Sequence, residues 1–485
     1  MFYFLAILWL VRSTKASLFW FYLWQLKEYH IGRFLDHFNT YKGKKLVFNT
    51  LNIVKVVLLL IFIPYPVLVF FLAIFIYIFE ALKTGWDIFR RKLKKPILTK
   101  KTAFLVAADL LVEFSILVLL LIYVDNIRWF AFWLLLFDVL MPVIVSLVVL
   151  IFQPAAVFLR NRIIQKAKAK RKRFANLLVI GVTGSYGKTS TKDFLAGILS
   201  AKYKVLKTKE HQNSEVGVSQ CILNDLTEDH EVFVCEMGAY NVGGIKLLCD
   251  ITLPKIGVLT GINEQHMATF GSQENIIKAK YELIESLPPD GLAFFNAKNA
   301  YCVWLYKKTK VKKFLYGQEA EFLGQENILG AAAVARELGV AGDIISGFLE
   351  KSDKMPGIKI RNGINGLVVL DSTYSANPDG VLANLEYLKS FPGKKIIIMP
   401  CLIELGQASE AVHLTIGQKI AEVCDLAIII TGDRFREIKE GAGKKALFLE
   451  KSLDIFERIQ NFCDKGDVIL LQSRVPKELM KLLIR

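Results

Sequence analysis

The chain has 485 residues, 62 Lys and Arg against 45 Asp and Glu, and 34 phenylalanines, with a mean hydropathy of +0.38. That length suffices for several domains, and that hydropathy excludes a purely soluble enzyme. The net charge of +17 lies wholly in residues 1–176, where 25 basic residues face 8 acidic ones; residues 177–485 carry 37 of each. A basic excess confined to an apolar region argues for a membrane surface and against nucleic-acid binding.

In chain order, the first 24 residues are aromatic and aliphatic but interrupted by Arg12 and Lys15, which predicts a weak span or an interfacial helix. The 29-residue stretch 51–79 contains Pro64 and Pro66 and reads as one kinked span or a re-entrant hairpin. Stretches 103–123 and 129–152 are long and apolar enough to span. Asp109, Glu113 and Asp138 fall inside these stretches. Carboxylates there are costly, so they mark a functional site or sit near headgroups or a partner on a neighbouring helix. Segments 81–102 and 159–173 each hold eight basic residues, against one acid (Asp87) and none. The positive-inside rule puts both in the cytoplasm and 124–128 outside. If the basic loop 25–50 is also cytoplasmic, 51–79 must be re-entrant. The basic residues of 159–173 are expected to bind anionic headgroups. No basic n-region or A-x-A-like site is present, so no cleavable signal peptide is expected.

Beyond residue 176 the pattern changes. Leu177-Leu178-Val179-Ile180 reads as a buried strand, and Thr191–Leu199 has helical spacing. Between them lies Thr183-Gly184-Ser185-Tyr186-Gly187-Lys188-Thr189-Ser190. Such a turn closes backbone N–H groups on phosphate oxygens, and the helix N-terminus adds a favourable dipole. Lys188 is placed to reach terminal phosphates and Thr189 or Ser190 to hold Mg²⁺. Val182 stands where a strict Walker A has its first glycine. Further apolar runs, such as Val232–Cys235, Ile256–Leu259, Ile396–Met399 and Val468–Leu471, alternate with helical patterns. These predict parallel α/β sheets, with the polar, Pro-Gly-containing stretch Lys351–Gly357 as the boundary between two domains. The seven cysteines form no C-x-x-C pair and no zinc spacing, and read as reduced cytosolic thiols. The expected organisation is an α-helical transmembrane region of three to four segments (1–158), a basic juxtamembrane linker (159–176), and α/β domains at 177–352 and 353–485.

An ordered set of motifs is similar to a known family. The phosphate loop, Glu236-Met237-Gly238-Ala239, Asn263-x-x-His266 before Phe270-Gly271-Ser272, and Ala279-Lys280-Tyr281-Glu282 resemble the central domain of a Mur ligase. Asp371-Ser372-Thr373-Tyr374-Ser375-Ala376-Asn377-Pro378 resembles the D-D-S-Y-N-A-N-P signature of the MurF type, and Glu404-Leu405-Gly406 with His413 its E-L-G…H. The likeness covers roughly residues 175–485 and implies a phosphate-loop central domain followed by a Rossmann-like C-terminal domain.

The resemblance implies an ATP-dependent amide ligase of cell-envelope peptide synthesis. A substrate carboxylate takes the γ-phosphate, and an amine then displaces phosphate. Lys188, Lys280 and His266 are implied as catalytic residues, and Gly184, Ser185, Gly187, Lys188, Thr189, Ser190, Asn263 and Asp371 as ATP contacts. Thr189, Glu236, His266 and a carbamylated Lys280 are implied to hold Mg²⁺. Tyr374, Asn377 and Glu404 would face the amine. His413 reads as structural or substrate-adjacent. The implied partners are a soluble or lipid-linked muramoyl-peptide precursor, D-Ala-D-Ala or another amine, and membrane lipid. The implied location is the plasma membrane, multi-pass, with cytoplasmic catalytic domains. An amide ligase for another envelope polymer (poly-γ-glutamate or pseudomurein-like) and a non-catalytic Mur-like scaffold are the alternatives.

The chain also departs from the family pattern. Ser372 and Ser375 replace an aspartate and an asparagine, and Ile358 replaces an arginine. Gly330 stands where an adenine-contacting asparagine is usual, Cys401 where G-D-M has its aspartate, and Leu471-Gln472-Ser473-Arg474 where K-G-S-R is usual. These changes put the amine and adenine sides in doubt. Nothing N-terminal reads as the family's UDP-gripping domain; membrane segments take its place, and are expected to serve a lipid-linked acceptor or hold the enzyme beside such intermediates.

Overall fold

The computed structural model describes residues 1–209, 212–321, 324–351, 358–373 and 377–484. Its contacts form two compact units, Met1–Arg160 and Asn161–Arg485.

The first unit is helical. Its helices are α1 (Phe2–Leu26), α2 (Ile31–His37), α3 (Tyr41–Val47), α4 (Thr50–Leu60), α5 (Pro66–Phe89), α6 (Lys100–Tyr123), α7 (Ile127–Ile151) and the start of α8 (Gln153–Lys172). Side chains of His30, Thr40, Asn49, Thr99 and Asn126 accept a backbone N–H at the starts of α2, α3, α4, α6 and α7. Helices α1, α5, α6 and α7, of 24 or 25 residues, are long and apolar enough to cross a bilayer. α1 packs against α5, α6 and α7, burying Trp9, Phe21, Tyr77, Phe130 and Leu134.

Two expectations are corrected here. Stretch 51–79 is not one kinked helix but two helices about a turn. α4 stops at Leu60, a turn follows, and Pro66 opens α5, because proline tolerates only the first turn of a helix. The 11 residues of α4 are too few to span. α5 instead continues to Phe89, into the segment 81–102 expected to be a loop. Its Glu80 is met by Arg12 and Lys55, each at 2.6 Å, and its Asp87 by Lys15 at 2.7 Å. The same pairs let Arg12 and Lys15 lie within one uninterrupted 25-residue α1.

The second unit holds two sheets. In the first part lie β1 (Leu178–Thr183), α9 (Lys188–Leu199), β2 (Val205–Lys207), α10 (Glu215–Asp225), β3 (Val232–Glu236), α11 (Gly244–Thr252) and β4 (Ile256–Leu259). Then come α12 (Met267–Phe270), α13 (Gln273–Glu285), β5 (Leu292–Asn296), α14 (Ala300–Lys308), β6 (Lys312–Tyr316), α15 (Gln325–Glu337) and α16 (Gly342–Lys351). The strands run in the order β2-β3-β1-β4-β5-β6, all parallel. Both faces are covered by helices, which is why these strands are continuous apolar runs. β1 lies where the strand order reverses, so the loop after it opens into the crevice at the strands' carboxyl ends, where ligands bind in such sheets.

The segment expected to be a basic lipid-facing stripe is largely the helical end of α8. Two of its charges are spent on the protein instead. Arg171 donates to the carbonyls of Thr252 (2.8 Å), Phe174 (2.7 Å) and Leu177 (3.1 Å), and Lys170 to those of Leu223 (3.0 Å) and Leu226 (2.7 Å).

The second sheet is built from β7 (Lys359–Asn362), β8 (Val368–Ser372), α17 (Pro378–Lys389), β9 (Lys395–Met399), α18 (Ser409–Val423) and β10 (Leu426–Ile429). It is completed by α19 (Phe435–Ala442), β11 (Ala446–Phe448), α20 (Ser452–Phe462), β12 (Val468–Gln472) and α21 (Lys477–Leu483). Its order is β11-β10-β9-β12-β8-β7, parallel except for the edge strand β7. Residues 352–357 of the expected domain boundary lie outside the described residues. All seven cysteines are free thiols, and only Cys463 is not fully buried.

Candidate active site

The loop between β1 and α9 is shaped by two glycines with positive φ, +155° at Gly184 and +76° at Gly187. A Cβ on Gly184 would lie 2.2 Å from Thr260 Oγ1, and one on Gly187 2.2 Å from Asn327 Oδ1. The loop is thus bare backbone at the start of a helix, the form a phosphate cradle requires. Ser185 N–H donates to Gly261 O (2.7 Å), Asn263 N–H to Ser185 Oγ (3.2 Å), and Thr260 Oγ1 to the carbonyls of Thr183 (3.1 Å) and Tyr186. Gly187→Ala combines strain with a clash, and is expected to cost about 1–3 kcal/mol of stability, read as a lowered Tm together with lost nucleotide binding.

Lys188 bends back over this loop and donates to Gly184 O (2.9 Å) and Ser185 O (3.2 Å). Burial pushes its pKa below the usual lysine value, with Glu236 opposing. Thr189 and Ser190 follow in the first turn of α9, half-buried. Glu236 ends β3, buried, where it accepts from Asn213 Nδ2 (3.1 Å) and lies 3.7 Å from Lys192 Nζ. Neither Asn213 nor Lys192 was singled out from the sequence. Lys192 could have been, since it follows Lys188 by one helical turn and shares its face.

Lys280 is buried on α13 with its Nζ 5.5 Å from the centre of the Phe270 ring. Burial, with the nearby Lys188 charge adding to it, brings its pKa down to about 7. His266, just before α12, feels the charges of both Lys280 and Lys188; burial lowers its pKa and the Glu404 carboxylate opposes that. Lys188, Glu236, His266 and Lys280 therefore share one electrostatic neighbourhood.

The second α/β part closes on this region through specific bonds. His266 Nδ1 lies 2.6 Å from Glu404 Oε2, and Ala268 N–H donates to Glu404 O at 3.2 Å. Asn263 Nδ2 donates to Asp379 Oδ2 at 2.7 Å. His266 (φ +66°) and Glu404 (φ +65°) both adopt the left-handed region without being glycine, a strain that packing must hold in place. Asn263 thus links the phosphate loop to α17. Asp379, in the first turn of α17, is a third residue missed from the sequence. Asp371 lies near the end of β8 and pairs with Arg361 Nε at 2.9 Å. Asn377 caps α17 by accepting from Gly380 N–H at 2.9 Å. Tyr374 and Ser375 lie outside the described residues. His413 is structural: its Nε2 accepts from Leu402 N–H (2.9 Å) and its Nδ1 faces Ser409 O (2.5 Å).

Several departures from the family pattern acquire a physical account. Asn384 Nδ2 donates both to Ser372 Oγ (2.7 Å) and to Gln472 Oε1 (2.6 Å), so two replacements belong to one neutral network. Cys401 N–H donates to Thr431 Oγ1 (2.9 Å) and its Sγ to Thr431 O (3.2 Å). A Cβ on Gly330 would lie 2.6 Å from the Tyr316 ring, so glycine here lets that ring lie against α15. Ile358 packs on the core of the second sheet.

The donor chemistry suits Mg²⁺. Among the described residues no group of three or more His, Cys, Asp or Glu could hold a metal alone. A single buried carboxylate beside a phosphate loop matches an ion that keeps waters and binds mainly through substrate phosphates.

The fold and this arrangement define a phosphate-loop protein of two α/β domains. Residues 182–343 match the Mur ligase middle domain, and residues 358–475 the Mur ligase, glutamate ligase domain. The chain is 32% identical over 277 residues to the UDP-N-acetylmuramoyl-tripeptide–D-alanyl-D-alanine ligase of Synechocystis sp., covering 52% of this chain and 60% of that protein. It is 30% identical over 336 residues to the same-named ligase of Bacillus subtilis, covering 61% of this chain and 72% of that one. The structure of MurF ligase from Thermotoga maritima in complex with ADP aligns with a TM-score of 0.58 at 26% identity, covering 67% of this chain and 83% of that one. The chain belongs to the Mur ligase family, and within it to the MurF type. Residues before 182 lie outside both family matches.

Proposed function

We propose that this chain is an ATP-dependent amide ligase of cell-envelope peptide synthesis, anchored in the plasma membrane by its four apolar helices, with both α/β domains cytoplasmic. The observation that carries the proposal is the gathering of Lys188, Glu236, His266 and a near-neutral Lys280 around a bare phosphate loop. The amides of Gly184–Ser190 and Lys188 hold the ATP phosphates, and Thr189 and Glu236 one Mg²⁺. His266 and Lys280 serve a second metal position. When bound, Mg²⁺ neutralises charge on the transferring phosphoryl group.

Lys280 suits carbamylation because only a neutral amine attacks CO₂. The product loses a proton and becomes an anion, which turns a misplaced cation into a metal ligand. The acceptor carboxylate, on a muramoyl peptide, takes the γ-phosphate, and the amine then displaces phosphate from the acyl carbon. The bonds from Asn263 and His266 to the second domain shield that intermediate from water. Asn263 and Asp371 would add to the ATP contacts, and Asn377 and Glu404, with Tyr374 by family resemblance, would meet the amine. D-Ala-D-Ala is the favoured amine. The neutral Ser372–Asn384–Gln472 network supports a second reading, ligation of a different envelope peptide.

In place of a UDP-gripping domain, the membrane helices keep the ligase beside a lipid-linked acceptor. Phosphate release by the full chain in nanodiscs tests this, with D-Ala-D-Ala, D-amino acids and L-amino acids against UDP-linked and lipid-linked acceptors. Release that needs both acceptor and amine is expected. Release indifferent to either would overturn the ligase, and strict use of UDP-linked acceptor would overturn the membrane role.

A further inference from the structure

Between helices α1, α4, α5, α6 and α7 lie four carboxylates, Glu80, Asp109, Glu113 and Asp138, and two cations, Arg12 and Lys55. The cations are committed. Lys55 pairs with Glu80 at 2.6 Å and with Asp138, and Arg12 pairs with Glu80 at 2.6 Å and approaches Asp138 at 3.6 Å. Asp109 and Glu113 are 0% and 1% exposed, one turn apart on α6, and make no ion pair among the described residues.

The other charged groups on the helices packed against α6 do not reach them. Lys15 on α1 is held by Asp87 at 2.7 Å, Asp138 on α7 faces Lys55, and Arg128 is exposed at the start of α7. Glu113 accepts from Ser13 Oγ at 2.7 Å on one oxygen and from Ser17 Oγ on the other. Asp109 is close enough to Ser17 and Glu113 to feel both, yet neither of its oxygens is in hydrogen-bond geometry with a donor.

We propose that Asp109, Glu113, Ser13 and Ser17 form an intramembrane site for a hard monovalent cation of the Na⁺ class. The donors are all oxygen, as such an ion prefers. Each serine hydroxyl has one proton and two lone pairs, so whichever acceptor takes the proton, a lone pair remains to face a cation. One Na⁺ together with one proton on Asp109 balances the two carboxylates. A divalent ion would have to shed most of its water into a pocket offering only two hydroxyls beyond the acids, which it does reluctantly. An uncompensated carboxylate in apolar surroundings is costly, so the site takes up positive charge. The inference rests on the membrane reading of these helices.

The full chain in nanodiscs is labelled with a hydrophobic carbodiimide, which reacts with protonated buried carboxyls, and the modified residue is located by mass spectrometry. Labelling at Glu113, which takes a proton in place of Na⁺ when the site is empty, is expected to slow about tenfold when Na⁺ is ten times its Kd, relative to choline at equal ionic strength. Lower pH weakens that protection, because protons compete. NaCl also raises the Tm of the unmodified protein above its value in choline chloride, which needs no variant. Ser13→Ala with Ser17→Ala, and separately Glu113→Gln, remove both Na⁺ effects. Equal labelling and equal Tm in Na⁺ and choline would overturn the proposal in favour of a proton-only pair, as would a larger effect of Mg²⁺ or Ca²⁺. Failure of the membrane reading itself shows differently, as a full chain that stays dispersed without lipid or detergent.

Discussion

Lys188→Ala is expected to lower the rate of acceptor-dependent phosphate release by at least about 10²-fold, with the Tm close to that of the parent. The two halves of that expectation come from different bonds. Among the described residues Lys188 has no carboxylate within ion-pair distance, and it spends its ammonium on two carbonyls of its own loop, at 2.9 and 3.2 Å. Those bonds shape the loop locally and tie no other element to it. The loop is held independently by Ser185 to Gly261 and by Thr260 to Thr183 and Tyr186, so the fold survives the truncation. Phosphoryl transfer, by contrast, depends on positioned charge more than on covalent help, and the ammonium is the cation nearest the cradle. A Lys188→Arg variant keeps the charge but not the compact point donor that fits inside this turn, and is expected to recover little of the rate. Single-turnover phosphate release alongside thermal unfolding separates the two effects. A variant with parental turnover would remove the loop from the chemistry altogether.

The parts of this site legible in the sequence are those built from contiguous residues. A buried apolar run, two glycines and a helical spacing place Gly184–Ser190 between β1 and α9, and each of those signals is local. The bonds that close the second domain are not. His266 and Glu404 meet across 138 positions of chain, and Asn263 and Asp379 across 116, so no periodicity could join them. In the N-terminal helical unit Pro64 and Pro66 marked a break, but not its form. That α5 runs on through Glu80 and Asp87 depends on cations supplied by α1 and α4, which only the packed bundle reveals. The basic run 159–173 is only partly described by its charge. Net charge says where a stripe is drawn, while Lys170 and Arg171 are occupied by carbonyls that no charge count contains. Ser372 and Gln472, separate anomalies in sequence, become one adjustment once Asn384 is seen between them.

Lys280→Met is expected to abolish ligation while making the protein more stable at neutral and acid pH. The Lys280 pKa falls from an ordinary 10.5 to about 7 in the folded chain, chiefly through burial and then through the Lys188 charge. Below pH 7 both folded and unfolded chains carry the proton, and the folded one bears the whole cost of a buried cation. Between about 7 and 10.4 only the unfolded chain holds the proton, so stability rises with pH across that window. Above it the cost is gone. Methionine fills similar volume without the charge, so its advantage is greatest below pH 7, on the order of 4 kcal/mol at most, and shrinks towards pH 10. Carbamylation removes the same cost by another route, because the buried cation becomes an anion that a metal can neutralise. Bicarbonate with Mg²⁺ is therefore expected to raise both the Tm and the turnover of the parent, and to leave Lys280→Met unmoved. CO₂-limited turnover of the parent should climb as pH passes 7, where the free amine becomes the majority form. A stability gap that ignores pH, or a variant that gains equally from bicarbonate, would show that Lys280 is an ordinary buried lysine rather than the group that carries the charge reversal.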